Sequence, residues 1–351
     1  MTPTRTHRLR SLVLVCSGAL VLAACGQDDG SDDGGASSGS EDAPAVVATT
    51  SIWADVTSQV GCGEVEVTTL IPLGTDAHEY EPSVQDADLL LGAGLVVANG
   101  LGLEEGAIDA IETAEADGVT VIELGGELDP IEGGHSEEEG HSDEEGHSDE
   151  EGAFGATATN VALRDEVAHG DEESGSDPHV WMDPDRVAMA VPIIAEGLKS
   201  VEGLPVDDAQ IDTCAEDYVA ELTALSAELE EQFAGLTATQ RQLVTNHEAL
   251  GYLADRFDFE VIGAIIPSTS SLGESNVRDL EELAATMKEL GVTRIYGEVT
   301  GSDEVSAALA EQVGSQVEIV ELFTESLGEE GSGAATYLDM MRTNGALIAE
   351  Q

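Results

Sequence analysis

The sequence predicts an α/β protein of two domains, each with a mainly parallel sheet flanked by helices, joined by a single long connector helix. Three observations carry this. Short Val-rich runs alternate with helical patterns in the N-terminal third, the same alternation returns in the C-terminal third, and one unbroken helical stripe lies between them. In the first stretch Val46 to Ser51, Glu64 to Leu70, Leu95 to Ala98 and Val119 to Leu124 read as strands, each short and bounded by Gly or polar residues. Ser83 to Leu91 and Leu103 to Ala114 read as helices between them. The stripe consists of Ile211, Cys214, Tyr218, Leu222, Leu225, Leu229 and Phe233, recurring at steps of three and four. A helix of about 28 residues there would run about 42 Å, a rigid connector over 205–236. Beyond it Gln242 to Thr245, Glu260 to Ile266, Thr293 to Tyr296 and Gln316 to Leu322 read as strands, with helices at Val277 to Leu290 and Glu304 to Val313. The domains are thus 44–200 and 238–351.

The 351 residues carry 12 Lys and Arg against 72 Asp and Glu, a formal charge of −60. Such a chain repels phosphate backbones and anionic headgroups, which argues strongly against nucleic-acid binding. Hydrophobic residues make up 41% and aromatics only 3%, so aliphatic side chains must fill the cores.

The N-terminus has the features of an export signal over residues 1–24. Arg5, Arg8 and Arg10 precede an uncharged apolar stretch, Leu12 to Ala24, too short to span a bilayer. It ends in Leu22-Ala23-Ala24-Cys25-Gly26, which resembles the bacterial lipoprotein box, in which the Cys is lipidated and becomes the first residue. Residues 25–43 are mostly Gly, Ser, Asp and Glu, a flexible tether. The expected protein is exported and held by lipid at the outer face of the cytoplasmic membrane. Two further cysteines, Cys62 and Cys214, remain in the mature chain. They form either one disulfide or two separate buried thiols.

Residues 127–176 interrupt the first domain. They are acidic and Gly-rich and contain a repeat, His135-Ser136-Glu137-Glu138-Glu139-Gly140, then the same pattern from His141 and from His147. This composition predicts a disordered insertion. Its histidines either collect metal loosely, the favoured reading, or belong to a solvated spacer.

Of 8 histidines, His7 leaves with the signal and His135, His141, His147 and His169 lie in the insertion. His78, His179 and His247 remain in the folded parts. His78 sits in Pro72 to Pro82 after a predicted strand, His179 in Asp177-Pro178-His179-Val180-Trp181-Met182-Asp183-Pro184, and His247 in Thr245-Asn246-His247-Glu248-Ala249-Leu250-Gly251-Tyr252. Two come from the first domain and one from the second, so convergence places a site in the cleft between domains.

These segments resemble the ligand motifs of the zinc and manganese solute-binding lipoproteins of bacterial metal ABC importers. The resemblance runs from about Ala45 to the C-terminus, apart from the insertion. Ala77 stands where the first motif usually has Pro. A fourth family ligand, often Asp, lies in a Phe-Thr-Asp-Ser-like segment; here Phe323-Thr324-Glu325-Ser326 puts Glu325 in its place. The resemblance implies that His78, His179, His247 and Glu325 bind metal, that a cognate ABC permease is the partner, and that the protein is a monomer. Three imidazoles and a carboxylate suit Zn²⁺, whereas Mn²⁺ prefers more oxygen. His247 stands where the zinc branch tends to have His and the manganese branch Glu, so Zn²⁺ is favoured over Mn²⁺. Metal-bound imidazoles usually donate their other N–H to an oxygen. Glu81, Asp183 and Glu298 are candidates for that role, and Trp181 reads as packing. The alternatives are a manganese or iron carrier of the same fold and, less expected, a zinc-dependent hydrolase; an enzyme is not expected. His247-Glu248-Ala249-Leu250-Gly251 fails the His-Glu-x-x-His pattern at its last position, and no G-x-S-x-G elbow or phosphate loop occurs.

Overall fold

A computed structural model describes residues 45–132, 175–301, 303–314 and 316–350. The signal segment, the tether, Cys25, His135, His141 and His147 lie outside the described residues. The described residues gather into one compact unit.

The N-terminal lobe contains β1 (Ala45–Ala48), α1 (Ser51–Val60), β2 (Val67–Thr69), α2 (Val84–Leu91), β3 (Ala93–Ala98), α3 (Ile108–Ala116), β4 (Thr120–Glu123) and α4 (Pro184–Lys199). Its four strands are parallel in the order β2-β1-β3-β4, with Val46 paired to both Val67 and Leu95. After α5 (Asp208–Phe233) the C-terminal lobe contains β5 (Gln242–Thr245), α6 (Gly251–Phe257), β6 (Glu260–Ala264), α7 (Val277–Leu290), β7 (Arg294–Glu298), α8 (Asp303–Val313), β8 (Glu318–Leu322) and α9 (Tyr337–Ala349). Its strands are also parallel, in the equivalent order β6-β5-β7-β8.

Alternation along the central strands sorts the cores. Val46, Ala48, Leu95 and Val97 face one way, and Val47, Val96 and Ala98 the other. Leu243 and Tyr296 likewise oppose Val244 and Ile295. Each sheet keeps a small core on its outer face, under α2 and α3 or under α7 and α8. The inner faces of both sheets share one large core with α1, α4, α5 and α9. Strands buried on both faces need continuous apolar runs, which explains the Val-rich segments.

The strand expected to reach Ser51 ends at Ala48 because the next residues start a helix. Thr50 caps α1, accepting the Trp53 N–H at 3.2 Å. α1, α6 and α9 are additional to the expected helices. The 26-residue α5 is about 39 Å long. A reciprocal cap between Asp207 and Gln210 starts it, and its buried stripe runs from Ile211 to Phe233 against α4, α1 and α9. Cys214 leaves that stripe to form a disulfide with Cys62 at the end of α1, with Cα atoms 5.4 Å apart. The bond closes the alternative left open by the sequence.

The insertion boundary at 127 is corrected. Residues 125–127 form a 3-10 turn, Leu128 is fully buried, and Glu132 pairs with Ser176 in an antiparallel bridge. These residues form a stem; apolar Leu128 and Ile131 give it contacts that composition alone had hidden.

Candidate metal centre

Four side chains from four loops converge. His78 lies between β2 and α2, where its backbone N–H donates to Asp76 Oδ1 at 2.9 Å. His179 precedes a 3-10 turn, Val180–Met182, and its N–H donates to Asp177 Oδ1 at 2.9 Å. Both are Asp-x-His turns, in which a short carboxylate folds back on the backbone two residues later. His247 stands two residues past β5, where the ladder continues through Asn246 N–H to Tyr296 O at 3.0 Å. Glu325 stands three residues past β8.

All four are buried, and one ligand atom from each lies within 4.8 Å of the others. His179 Nε2 is 3.4 Å from His78 Nε2 and 3.1 Å from His247 Nε2. Glu325 Oε1 is 3.3 Å from His179 Nε2 and 3.6 Å from His247 Nε2. A tetrahedron with metal–ligand bonds near 2.0–2.1 Å has edges of about 3.3 Å. These four distances lie near that value, and all four atoms lie close enough together to share one ion.

The far side of two of the rings sets their tautomer. His179 Nδ1 donates to Asp177 Oδ1 at 2.7 Å, and His247 Nδ1 donates to Glu298 Oε1 at 2.5 Å. A proton held on Nδ1 leaves the Nε2 lone pair facing inward. His78 Nδ1 and both oxygens of Glu325 are buried without a hydrogen bond of good geometry. Electrostatics differ accordingly. Burial, joined by the His179 and His247 imidazoles and opposed by the Glu325 carboxylate, pushes His78 down to about 3. Burial also disfavours charge on His179, but the Glu325 and Asp177 carboxylates outweigh it and hold the imidazole up at about 10. His247 is raised too, as Glu298 overcomes burial. Glu325 resists its own burial and falls to about 2 because His179, His247 and His78 surround it. Burial and the neighbouring Glu325 raise Asp76 to about 6.

Among the carboxylates expected behind the ligands, Glu298 reaches His247. Asp183 does not reach an imidazole. It caps α4, accepting Asp185 N–H at 2.8 Å, and pairs with Arg186 at 2.6 Å. Glu81 is exposed and lies beside Gly106. Sequence reasoning missed Asp177 and Asp76; the signal was the Asp placed two residues before each His of the first lobe. Trp181 packs in the shared core, donates to Thr324 O at 2.8 Å, and meets His179 edge-on with ring centroids 5.3 Å apart.

The family described as zinc-uptake complex component A, periplasmic, matches residues 46–351. The manganese-binding lipoprotein MntA of Halalkalibacterium halodurans is 28% identical over 93% of this chain and 92% of its own. The zinc-binding protein TroA of Treponema pallidum is 26% identical over 87% of this chain and 89% of its own. A solved structure of the periplasmic zinc-binding protein TroA from Treponema pallidum superposes with a TM-score of 0.69 at 25% identity, covering 88% of this chain and 98% of that one. The match takes in both lobes and all four converging loops, and the chain belongs to the zinc-uptake complex component A family, whose members are metal-binding components of ABC importers and not enzymes.

Proposed function

We propose that the protein captures Zn²⁺ outside the cell and delivers it to the permease of an ABC importer. His78, His179, His247 and Glu325 hold the ion as transported substrate, while Asp177 and Glu298 hold two of the rings. The reading rests above all on one observation: three imidazole nitrogens and one carboxylate oxygen within 4.8 Å of one another, all buried. That donor set suits tetrahedral zinc, and Mn²⁺ favours more oxygen. The manganese name of the Halalkalibacterium relative supports a second reading, a manganese carrier on the same fold. Lipid on Cys25 anchors the protein, which acts as a monomer, and His135, His141 and His147 gather zinc loosely.

A chelator-competition titration with Zn²⁺ and Mn²⁺ tests this, using the mature chain lacking residues 133–174. One tight zinc site with far weaker manganese binding is expected. Preference for manganese would overturn the choice of metal, and loss of tight zinc binding would place the main site in the deleted segment.

A further inference from the structure

The chain on either side of residues 133–174 is stapled together at one point. Glu132 bridges Ser176, and the Asp177 N–H donates to Ile131 O at 2.9 Å. Tyr252, on α6 in the other lobe and fully buried, closes the staple. Its hydroxyl accepts the Ile131 N–H at 3.1 Å and donates to Asp177 O at 2.6 Å. One hydroxyl therefore ties both ends of the insertion to each other and to the opposite lobe. Arg186 reinforces the incoming side. Its Nε donates to Leu128 O at 3.2 Å and to Asp129 O at 3.3 Å, and its guanidinium lies 4.6 Å from the centre of the Tyr252 ring. The fit is close: a Cβ on Gly251 would come within 2.6 Å of Asp177 Oδ2.

The outgoing end of the staple is Asp177, which holds His179 by both its backbone N–H and its ring. The entropic cost of closing a loop grows with the logarithm of its length, so a stretch of about 40 residues opposes the stem far more than a tight turn does. A single β-bridge is a weak opponent, since even an isolated two-stranded hairpin is only marginally stable. We propose that Tyr252 is a positioning residue whose hydroxyl clamps the insertion stem, so that Asp177 stays registered on His179 despite the length of the insertion. Its effect on metal capture rests on the function proposed above; the clamp itself does not.

The test compares Tyr252→Phe in the full-length mature chain with Tyr252→Phe in a chain where residues 133–174 are replaced by an Asn-Gly turn, each beside its parent. Amide hydrogen exchange at Ile131 and Asp177 is read, together with Zn²⁺ affinity by chelator competition. In the full-length chain Tyr252→Phe should speed exchange at both amides and weaken zinc binding about tenfold, the lower end of what the loss of an outer hydrogen-bond partner costs. In the shortened chain both effects should shrink to about twofold or less, because a tight turn holds the stem without help. Equal effects in the two backgrounds would overturn the proposal, making the hydroxyl an ordinary core contact. No effect in either would also overturn it, leaving the bridge sufficient alone. If none of the four proteins binds zinc tightly, the capture reading fails, and exchange at Ile131 and Asp177 still decides the clamp.

Discussion

The two lobes share a strand order but deliver their ligands in different ways. In the C-terminal lobe His247 and Glu325 stand two and three residues past their strands, and the main-chain ladder runs on through Asn246 to Tyr296. The ladder carries the backbone close to both ligands, and the Asn344 side chain holds Phe323 before Glu325, accepting its N–H at 3.0 Å and donating to its O at 2.7 Å. In the N-terminal lobe His78 stands nine residues past β2, and His179 lies beyond the insertion. No strand end reaches either, and each is preceded by an Asp that accepts its backbone N–H at 2.9 Å. A ligand far from the sheet needs a local side-chain turn to do what the ladder does elsewhere. The rings differ as well. His179 and His247 are backed by carboxylates, whereas the His78 Nδ1 has none.

The largest test of this contrast removes a ligand fixed by strand register. His247→Ala should lower zinc affinity on the order of 1,000-fold, beyond the 10–100-fold typical of outer partners, as read by chelator competition. A smaller loss than for His78→Ala would break the comparison. Next come the supporting carboxylates. Asp177→Asn, which weakens both the turn and the ring partner of His179, should cost about 100-fold, and Glu298→Gln about tenfold. Asp76→Asn should cost least of the three, since Asp76 touches only the backbone of its His. Equal losses in the same titration would mean that backbone placement matters as much as ring support.

The pH dependence is a gentler probe. Glu325 and Asp177 hold a proton on metal-free His179 up to about 10, above its ordinary 6.5. Glu325, Asp177, His78, His247 and Asp76 are the titratable groups around it. Between pH 6.5 and 10 zinc must displace that proton, and that of the likewise raised His247 over part of the window, so affinity should rise at least about tenfold per pH unit, with at least one proton released in calorimetry across buffers. The metal-free protein should change oppositely. A raised imidazole contributes stability that is complete below 6.5 and lost as pH climbs through about 10. Glu325→Gln should flatten both trends. The smallest effects concern the caps. Thr50→Ala on α1 and Thr336→Ala on α9 should each cost about 1 kcal/mol. Because the inner faces share one core, each should shift a single thermal transition. Two separate transitions would show that the lobes fold independently.

The sequence alone determined the α/β alternation, the long helix and the three histidines of the folded parts, while Glu325 came only through the resemblance to a family. Apolar periodicity and short motifs are local, and each can be read within a dozen residues. It also held the Asp-x-His turns, though unread, because a lone Asp signals a cap or a turn equally well. Within Asp177 to Pro184 those two roles divide. Asp183 before Pro184 caps α4, and Asp177 before Pro178 holds His179. Other choices belonged to the tertiary structure. Glu298 reaches His247, 51 residues away, only because β5 pairs with β7 at Thr245 and Tyr296. Cys62 meets Cys214 only because α1 packs on α5. Tyr252 clamps the insertion stem only because α6 of one lobe reaches the loop of the other. Register and helix packing bring together residues remote in the chain, and no local pattern encodes those distances.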